Sequence, residues 1–88
     1  MQNQSIELNF FSDSGHGWIG TNKALLVQLG IDNDISTYSY IDGDVVYLEE
    51  DCDASRLINK LKDNNINYSL NEIYQDGDCF IRNLKRYN

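Results

Sequence analysis

The sequence predicts a small α+β domain. Three observations favour this class: a hairpin signal at Asp42-Gly43, a helical stripe of apolar residues after it, and strand-like alternation towards both ends of the chain. Asp-Gly between two β-rich runs is typical of a two-residue type I′ turn, which needs positive φ at both central positions. The apolar share of 41% is ordinary for a globular protein, and 88 residues suit a single domain over 1–88.

The chain begins with a predicted strand and a predicted loop. Ser5–Phe11 alternates apolar and polar residues with the period of a half-buried strand. Ser12–Gly17 contains two glycines among Ser and Asp residues, so its composition predicts a loop. Trp18 and Ile19 follow directly, and we expect them to anchor this loop to the core.

A helix is predicted over Asn22–Leu29. Thr21 is a candidate N-cap, and Gly30 is the expected left-handed residue after the C-terminus. The side facing the core is predicted to consist of Ala24, Leu25 and either Val27 or Leu29.

The hairpin is predicted to join strands at Ile35–Ile41 and Val45–Glu50. A turn at Asp42-Gly43 would pair Tyr40 with Val45 and Tyr38 with Tyr47, and paired residues share a face. One face then carries tyrosines and the other carries aliphatic residues, so the aliphatic face is the predicted core. Its members are Ile35, Ile41, Val46 and Leu48.

The second half of the chain predicts another helix and further strands. Asp51 or Asp53 is the candidate cap of the helix, whose apolar positions recur at helical spacing. These positions are Ala54, Leu57, Ile58 and Leu61. Ile66–Tyr74 is the next predicted strand, and Cys79–Leu84 is an optional short strand at the C-terminal end.

The resulting β-α-β-β-α-β order is that of the ferredoxin-like split βαβ arrangement, an antiparallel sheet with both helices on one face. An unrelated α+β sheet and a domain completed by dimerisation are the alternatives.

Charge and composition narrow the classes of function. The net charge is −7, with fourteen acidic and four basic residues before Cys79 and three basic residues after it. Such a body repels phosphate backbones, so no direct nucleic-acid binding is expected. No apolar run approaches the ~20 residues that span a bilayer, and the first ten residues lack the features of a signal peptide. We therefore expect no membrane association, a cytoplasmic location, and free thiols at Cys52 and Cys79.

The loop around His16 is the alternative site. A catalytic interpretation would use His16 as a general base with Ser14 or a nearby Asp. His16 is the only histidine, and flanking glycines are more typical of a tight turn above Trp18. No catalytic residue and no cofactor is predicted, although a small enzyme or ligand-binding protein with its site at Ser12–Trp18, and a pocket beside His16, remains the second hypothesis.

The acidic clusters also suggest a metal ion, but the pattern is incomplete. Asp32-Asn33-Asp34 begins like an EF-hand loop and then lacks the glycine and the third ligand. No metal site is predicted.

Tyrosines and carboxylates around the hairpin predict an interaction surface. Tyrosine is enriched at protein interfaces, and carboxylates suit a partner with a basic surface. We expect a protein partner of this kind, with a homodimer as an alternative. A competing interpretation is that the tyrosines only cover the sheet or are buried by the basic C-terminal segment. The predicted surface consists of Tyr38, Tyr40, Tyr47, Asp42, Asp44, Glu49, Glu50, Asp51 and Asp53.

Three motifs, SGHGW, YSYIDGDVVYLEEDCDA and FIRNL, resemble a family of small uncharacterised proteins carried by phages, plasmids and integrated mobile elements. The resemblance covers Ser14–Leu84. It implies no activity and no site residues, only a genomic setting. By analogy with other small acidic proteins of such elements, it suggests a non-catalytic interaction domain, such as an inhibitor or a DNA mimic. Its target would be the basic surface of a host nucleic-acid-handling or defence protein.

Overall fold

The computed structural model describes residues 5–87; residues 1–4 and 88, which the predicted domain includes, lie outside the described residues. Among the described residues, no helix combines the length and apolarity needed to cross a membrane. Short 3₁₀ segments lie at Asp32–Asp34 and Phe80–Asn83. The strands and helices are β1 (Ser5–Ser12), β2 (Gly17–Asn22), α1 (Lys23–Gln28), β3 (Tyr40–Asp42), β4 (Val45–Glu49), α2 (Ala54–Asp63), β5 (Asn67–Tyr74) and β6 (Lys85–Arg86).

The strands form one mixed sheet in the order β5-β1-β2-β4-β3-β6. β1 and β5 pair in parallel, and every other neighbouring pair is antiparallel. The class, a small α+β domain, is therefore confirmed, whereas the prediction of an antiparallel sheet is wrong. The β-α-β-β-α-β order and the ferredoxin-like arrangement are not confirmed, because β2 intervenes between β1 and α1.

β2 occupies the place where the sequence predicts only a loop and two anchoring residues. Trp18 and Ile19 are buried as expected, but they lie inside a strand that pairs with β1 on one side and β4 on the other. The loop itself is limited to four residues, closed by a hydrogen bond from the Asp13 N–H to the His16 carbonyl at 2.9 Å. The two-sided pairing explains why a short, glycine-containing segment is a strand.

α1 begins one residue later than predicted. The cap is Asn22 rather than Thr21, and its side-chain oxygen accepts the Leu25 N–H at 2.8 Å. Leu26 is fully buried, so the predicted inward side is wrong in part. A run of apolar residues leaves the phase of a six-residue helix undetermined by sequence alone. The predicted inward residues that are exposed are Ala24 and Val27.

The end of α1 follows the prediction closely. Gly30 has φ of +75°, and its N–H donates to the Val27 carbonyl at 3.0 Å. The Ile31 N–H donates to the Leu26 carbonyl at 3.0 Å, which completes a Schellman motif with its apolar contact. The left-handed glycine therefore directs the chain back over the core.

The hairpin is present, but its register differs from the predicted one. Tyr40 pairs with Tyr47 and Asp42 pairs with Val45, so the turn residues are Gly43 and the residue after it. Only Gly43 has positive φ, +61°, a pattern typical of a type II′ rather than a type I′ turn. The observed register is shifted by two residues from the predicted one, and side chains along a strand alternate between the two faces with a period of two. Each side chain consequently stays on its predicted face.

The strand predicted at Ile35–Ile41 is reduced to the three residues of β3. Asp53 explains this difference. Its carboxylate accepts hydrogen bonds from the Ser36 N–H at 3.1 Å, from the Ser36 hydroxyl at 2.7 Å and from the Ser39 hydroxyl. The segment before β3 is therefore held against the start of α2 instead of pairing with β4.

The main core lies between the two helices and one face of the sheet. The predicted stripe on α2 is confirmed: Leu57 and Leu61 are fully buried, Ala54 is buried and Ile58 is half-buried. Burial of one leucine side chain is worth about 1.5–3 kcal/mol. The strand residues of this cluster are Leu8, Ile19, Val46 and Leu48.

The C-terminal segment packs against the opposite face of the sheet. Ile81 and Cys79 are buried there against Trp18 and Tyr47. The strand predicted at Cys79–Leu84 is thus wrong, since its place is taken by a 3₁₀ segment and the only strand nearby is β6. As a result this face is partly covered rather than open.

Candidate binding groove

A groove of about 380 Å³ lies on the sheet face opposite the helices, where β4 ends. Its walls come from the loop before β2, the segment before β3, the connection from β4 to α2, and the C-terminal segment. The lining residues are His16, Trp18, Tyr38, Tyr40, Glu49, Asp51, Cys52, Arg82 and Arg86.

Strand register creates the acidic end of this groove. Trp18 pairs with Glu49, and the Glu50 N–H donates to the Gly17 carbonyl at 3.0 Å, so pairing of β2 with β4 continues past the strand end. One residue further, His16 comes opposite Asp51. Residues two apart in a strand share a face, and both pairs therefore point into the groove.

Glu49 is held in a fixed orientation at this end. It is buried, and its Oε1 accepts the backbone N–H groups of Asp51 at 2.8 Å and Cys52 at 3.1 Å. Its Oε2 lies 3.5 Å from Nδ1 of His16, whose side chain is about half exposed. One carboxylate oxygen thus remains directed towards the imidazole.

Arg82 closes the opposite side together with Asp13. Its Nε and Nη2 donate to the buried Asp13 carboxylate at 2.7 and 2.9 Å. Asp13 also accepts the backbone N–H groups of Gly15, His16 and Cys79. These bonds, with Arg82 contributing most, hold the pKa of Asp13 well below its usual range, and the same pair raises the pKa of Arg82. The positive charge of Arg82 is therefore neutralised inside the fold.

Aromatic side chains and a second arginine form the remaining wall. The Arg86 guanidinium lies 5.1 Å from the centre of the Tyr40 ring and donates to the Thr37 carbonyl at 3.0 Å. Tyr38 is 61% exposed and projects from the turn before β3. Two tyrosine rings therefore border the groove, and that of Tyr38 is largely exposed to solvent.

The predicted interaction surface is divided by the structure. Asp42 and Asp44 lie at the hairpin end of β4, whereas Glu50 and Asp51 lie beyond its other end, and this five-residue strand is about 17 Å long. All four are exposed and Tyr40 is half-buried. Tyr38 is also exposed. The other three predicted members are buried: Tyr47, Glu49 and Asp53.

The alternative site is only partly assembled. His16 and Trp18 both line the groove, with ring centres 6.1 Å apart, whereas Ser14 is exposed and is not part of the lining. Cys52 brings a thiol to the same groove lining as His16. Partial burial, a hydrogen bond to Glu49 and the neighbouring carboxylates raise the pKa of its thiol, which disfavours the reactive thiolate. The groove as described is suited to binding.

Sequence reasoning missed the cationic half of the groove. The sequence predicts only that Arg82 and Arg86 belong to a basic C-terminal segment and that Asp13 belongs to a loop. A signal was present for the acidic half: His16 and Trp18 are two residues apart, as are Glu49 and Asp51. This spacing places each pair on one side of its strand once the two strands are known to be partners.

Comparison of the chain with protein-family models, with curated proteins and with solved structures gives no match in any of the three.

Proposed function

We propose that this domain is a non-catalytic protein-interaction domain that binds a basic segment of a protein partner in the groove. The observation that carries the proposal is that exposed Tyr38 and exposed Asp51 line the same groove. A lysine or arginine side chain lying over a tyrosine ring and next to a carboxylate gains both cation–π and ionic attraction. Tyrosine also supplies contact area at a low cost in conformational entropy.

The charge of the groove supports a basic occupant. With Arg82 paired to Asp13, the lining carries two carboxylates, Glu49 and Asp51, against the guanidinium of Arg86. The chain as a whole has a net charge of −7, which favours encounter with a basic partner. An exposed ion pair is worth about 0.2–1 kcal/mol and a cation–π contact about 0.5–1 kcal/mol. Useful affinity therefore requires several basic residues, not one.

A titration with a ten-residue lysine/arginine peptide tests the proposal. We expect amide chemical shifts in a ¹⁵N-labelled sample to change around Tyr38 and Asp51. Because salt screens the attraction between charges, the affinity for the peptide should fall by at least about tenfold between roughly 50 and 500 mM salt. Tyr38→Ala and Asp51→Asn should each weaken binding several-fold. Asp42→Asn is the matched control, since it removes one exposed carboxylate at the far end of β4.

Several results would contradict this function. Shift changes centred on the hairpin turn, or an equal effect of Asp42→Asn and Asp51→Asn, would indicate non-specific charge attraction. Light scattering over a concentration series identifies the alternative in which the partner is a second copy of the chain; a peptide-independent dimer that buries Tyr38 would replace the present proposal.

The partner class is also a proposal. We infer a host nucleic-acid-handling or defence protein, whose basic cleft the domain would occupy. Asp42 and Asp44 provide a second exposed acidic point, separated from Asp51 by the five-residue strand β4, which is about 17 Å long. Duplex DNA should displace the domain from such a protein after capture at low salt. A captured partner that binds DNA and the domain at the same time would exclude mimicry.

A second candidate function is the binding of a small molecule beside His16. The indole Nε1 of Trp18 is buried and has no hydrogen-bond partner among the described residues, and Trp18 lines the groove. An acceptor-bearing anion in the groove would lie beside Arg86, and it would satisfy this N–H on a small movement of the rings around it. A panel of small carboxylates and phosphates should then raise the melting temperature, and His16→Ala should abolish the increase. An equal increase in the variant would exclude this site.

A further inference from the structure

We propose that His16, Glu49 and Asp51 bind one Zn²⁺ ion at the rim of the groove. Each residue offers one donor atom, and the three atoms lie within 4.8 Å of one another. Imidazole nitrogen and carboxylate oxygen are both ordinary zinc ligands. The incomplete acidic motifs in the sequence do not include this set, because it combines His16, from the loop before β2, with Glu49 at the end of β4 and Asp51 in the connection that follows.

The spacing of the donor atoms fits zinc better than a direct hydrogen bond. His16 Nδ1 and Glu49 Oε2 are 3.5 Å apart, beyond the usual range of about 2.7–3.2 Å for an N–H···O bond. Two ligands about 2.0–2.2 Å from a tetrahedral zinc ion are separated by about 3.4 Å. An ion can therefore lie between these atoms with little movement of either side chain.

Orientation and charge also favour an ion at this position. Two backbone N–H groups fix Oε1 of Glu49, which leaves Oε2 as the free donor, and the exposed Asp51 can turn towards it. Two carboxylates and one neutral imidazole balance the charge of a divalent cation. The open side of the site faces the groove, so water or a ligand atom can complete the coordination.

The imidazole selects the class of metal. Nitrogen ligands suit zinc and related transition metals, whereas Mg²⁺ and Ca²⁺ prefer oxygen ligands only. The Cys52 thiol lines the same groove and is a further potential ligand. The zinc proposal does not depend on the proposed partner, because zinc binding is measured on the chain alone. A bound ion would compete with a basic segment for Glu49 and Asp51, so the peptide titration is run in the absence of metal.

Isothermal titration of the full chain with ZnCl₂, under reducing conditions, tests the site. We expect one ion per chain. His16→Ala and Asp51→Asn should each raise the dissociation constant at least tenfold, both being exposed positions that tolerate substitution. Asp42→Asn is the control of equal charge change and should leave the constant within twofold. Circular dichroism of each metal-free variant verifies that it is folded.

Three outcomes would overturn the proposal. The first is absence of zinc binding by the folded wild-type chain. The second is binding that survives both His16→Ala and Asp51→Asn but is lost in Cys52→Ser, which would indicate a thiol site instead. The third is equal competition by millimolar Mg²⁺, which would indicate attraction to carboxylates without a role for the imidazole.

Discussion

Replacement of Asp53 by alanine should destabilise the domain more than any change to an exposed acidic residue. Asp53 is 1% exposed and accepts hydrogen bonds from the Ser36 N–H, the Ser36 hydroxyl and the Ser39 hydroxyl. Ser39 is fully buried and in turn accepts the Glu49 N–H at 3.0 Å. The substitution therefore removes the acceptor on which a three-element junction depends.

The expected loss is about 3 kcal/mol in the free energy of unfolding. A buried donor left without an acceptor costs about 1–3 kcal/mol. The buried Ser39 hydroxyl would lose its acceptor without replacement, whereas the two donors of half-buried Ser36 can form hydrogen bonds with water instead. For a domain of this size, 1 kcal/mol corresponds to about 4–8 °C in Tm, so a decrease of about 12–24 °C is expected.

Urea unfolding followed by the fluorescence of Trp18, the only tryptophan, measures this loss. Arg56→Ala is the control, because it removes the partly exposed cation that lies 3.7 Å from the same carboxylate. Because the Arg56 side chain is about half exposed to solvent, the loss of this ion pair should cost less than about 1 kcal/mol. If Asp53→Ala cost no more than Arg56→Ala, the reasoning about buried donors would be wrong.

Three further predictions concern the two faces of the sheet. Asp13→Asn should lower the free energy of unfolding at pH 7. Because the pKa of Asp13 is depressed in the folded state, the ionised carboxylate contributes its full stabilisation above the ordinary carboxyl pKa and loses it as the pH falls. The difference between wild type and variant in urea midpoint should thus narrow below about pH 4. Gly17→Ala should cost about 1–3 kcal/mol, because a Cβ there would lie 2.5 Å from Cζ of Phe10; a wild-type Tm would contradict this. Ile81→Ala should cost about 2–5 kcal/mol, and a loss below 1 kcal/mol in urea unfolding would show that the C-terminal segment contributes little to the second cluster.

Local sequence signals predicted the elements that depend on local chemistry. The stripe on α2, the glycine after α1 and the hairpin were all evident, because helical periodicity, left-handed φ and turn propensity act within a few residues. The features that were missed depend on distant partners. β2 is a strand because β1 and β4 flank it. The strand predicted at Ile35–Ile41 is shortened to β3 because Asp53, 14–17 residues away, accepts hydrogen bonds from Ser36 and Ser39.

The groove was predictable only in part for the same reason. The tyrosines and acids were identified, and their alternation gave the correct faces. Burial of Tyr47 depends on the C-terminal segment, which Asp13 holds in place through Cys79 and Arg82, 66 and 69 residues further along the chain. No local pattern reports a contact at that separation.

The parallel pairing of β1 with β5 has a consequence for biosynthesis. Ser5 pairs with Asn67 and Ser12 with Tyr74, a constant separation of 62 residues. β1 therefore leaves the ribosome well before its parallel partner β5, and loop closure over such distances slows folding. Until then the nascent polypeptide can form α2 and the hairpin, but β1 lacks one of its two neighbours. Translation arrested shortly before β5 should yield a protease-sensitive intermediate rather than a smaller native fold.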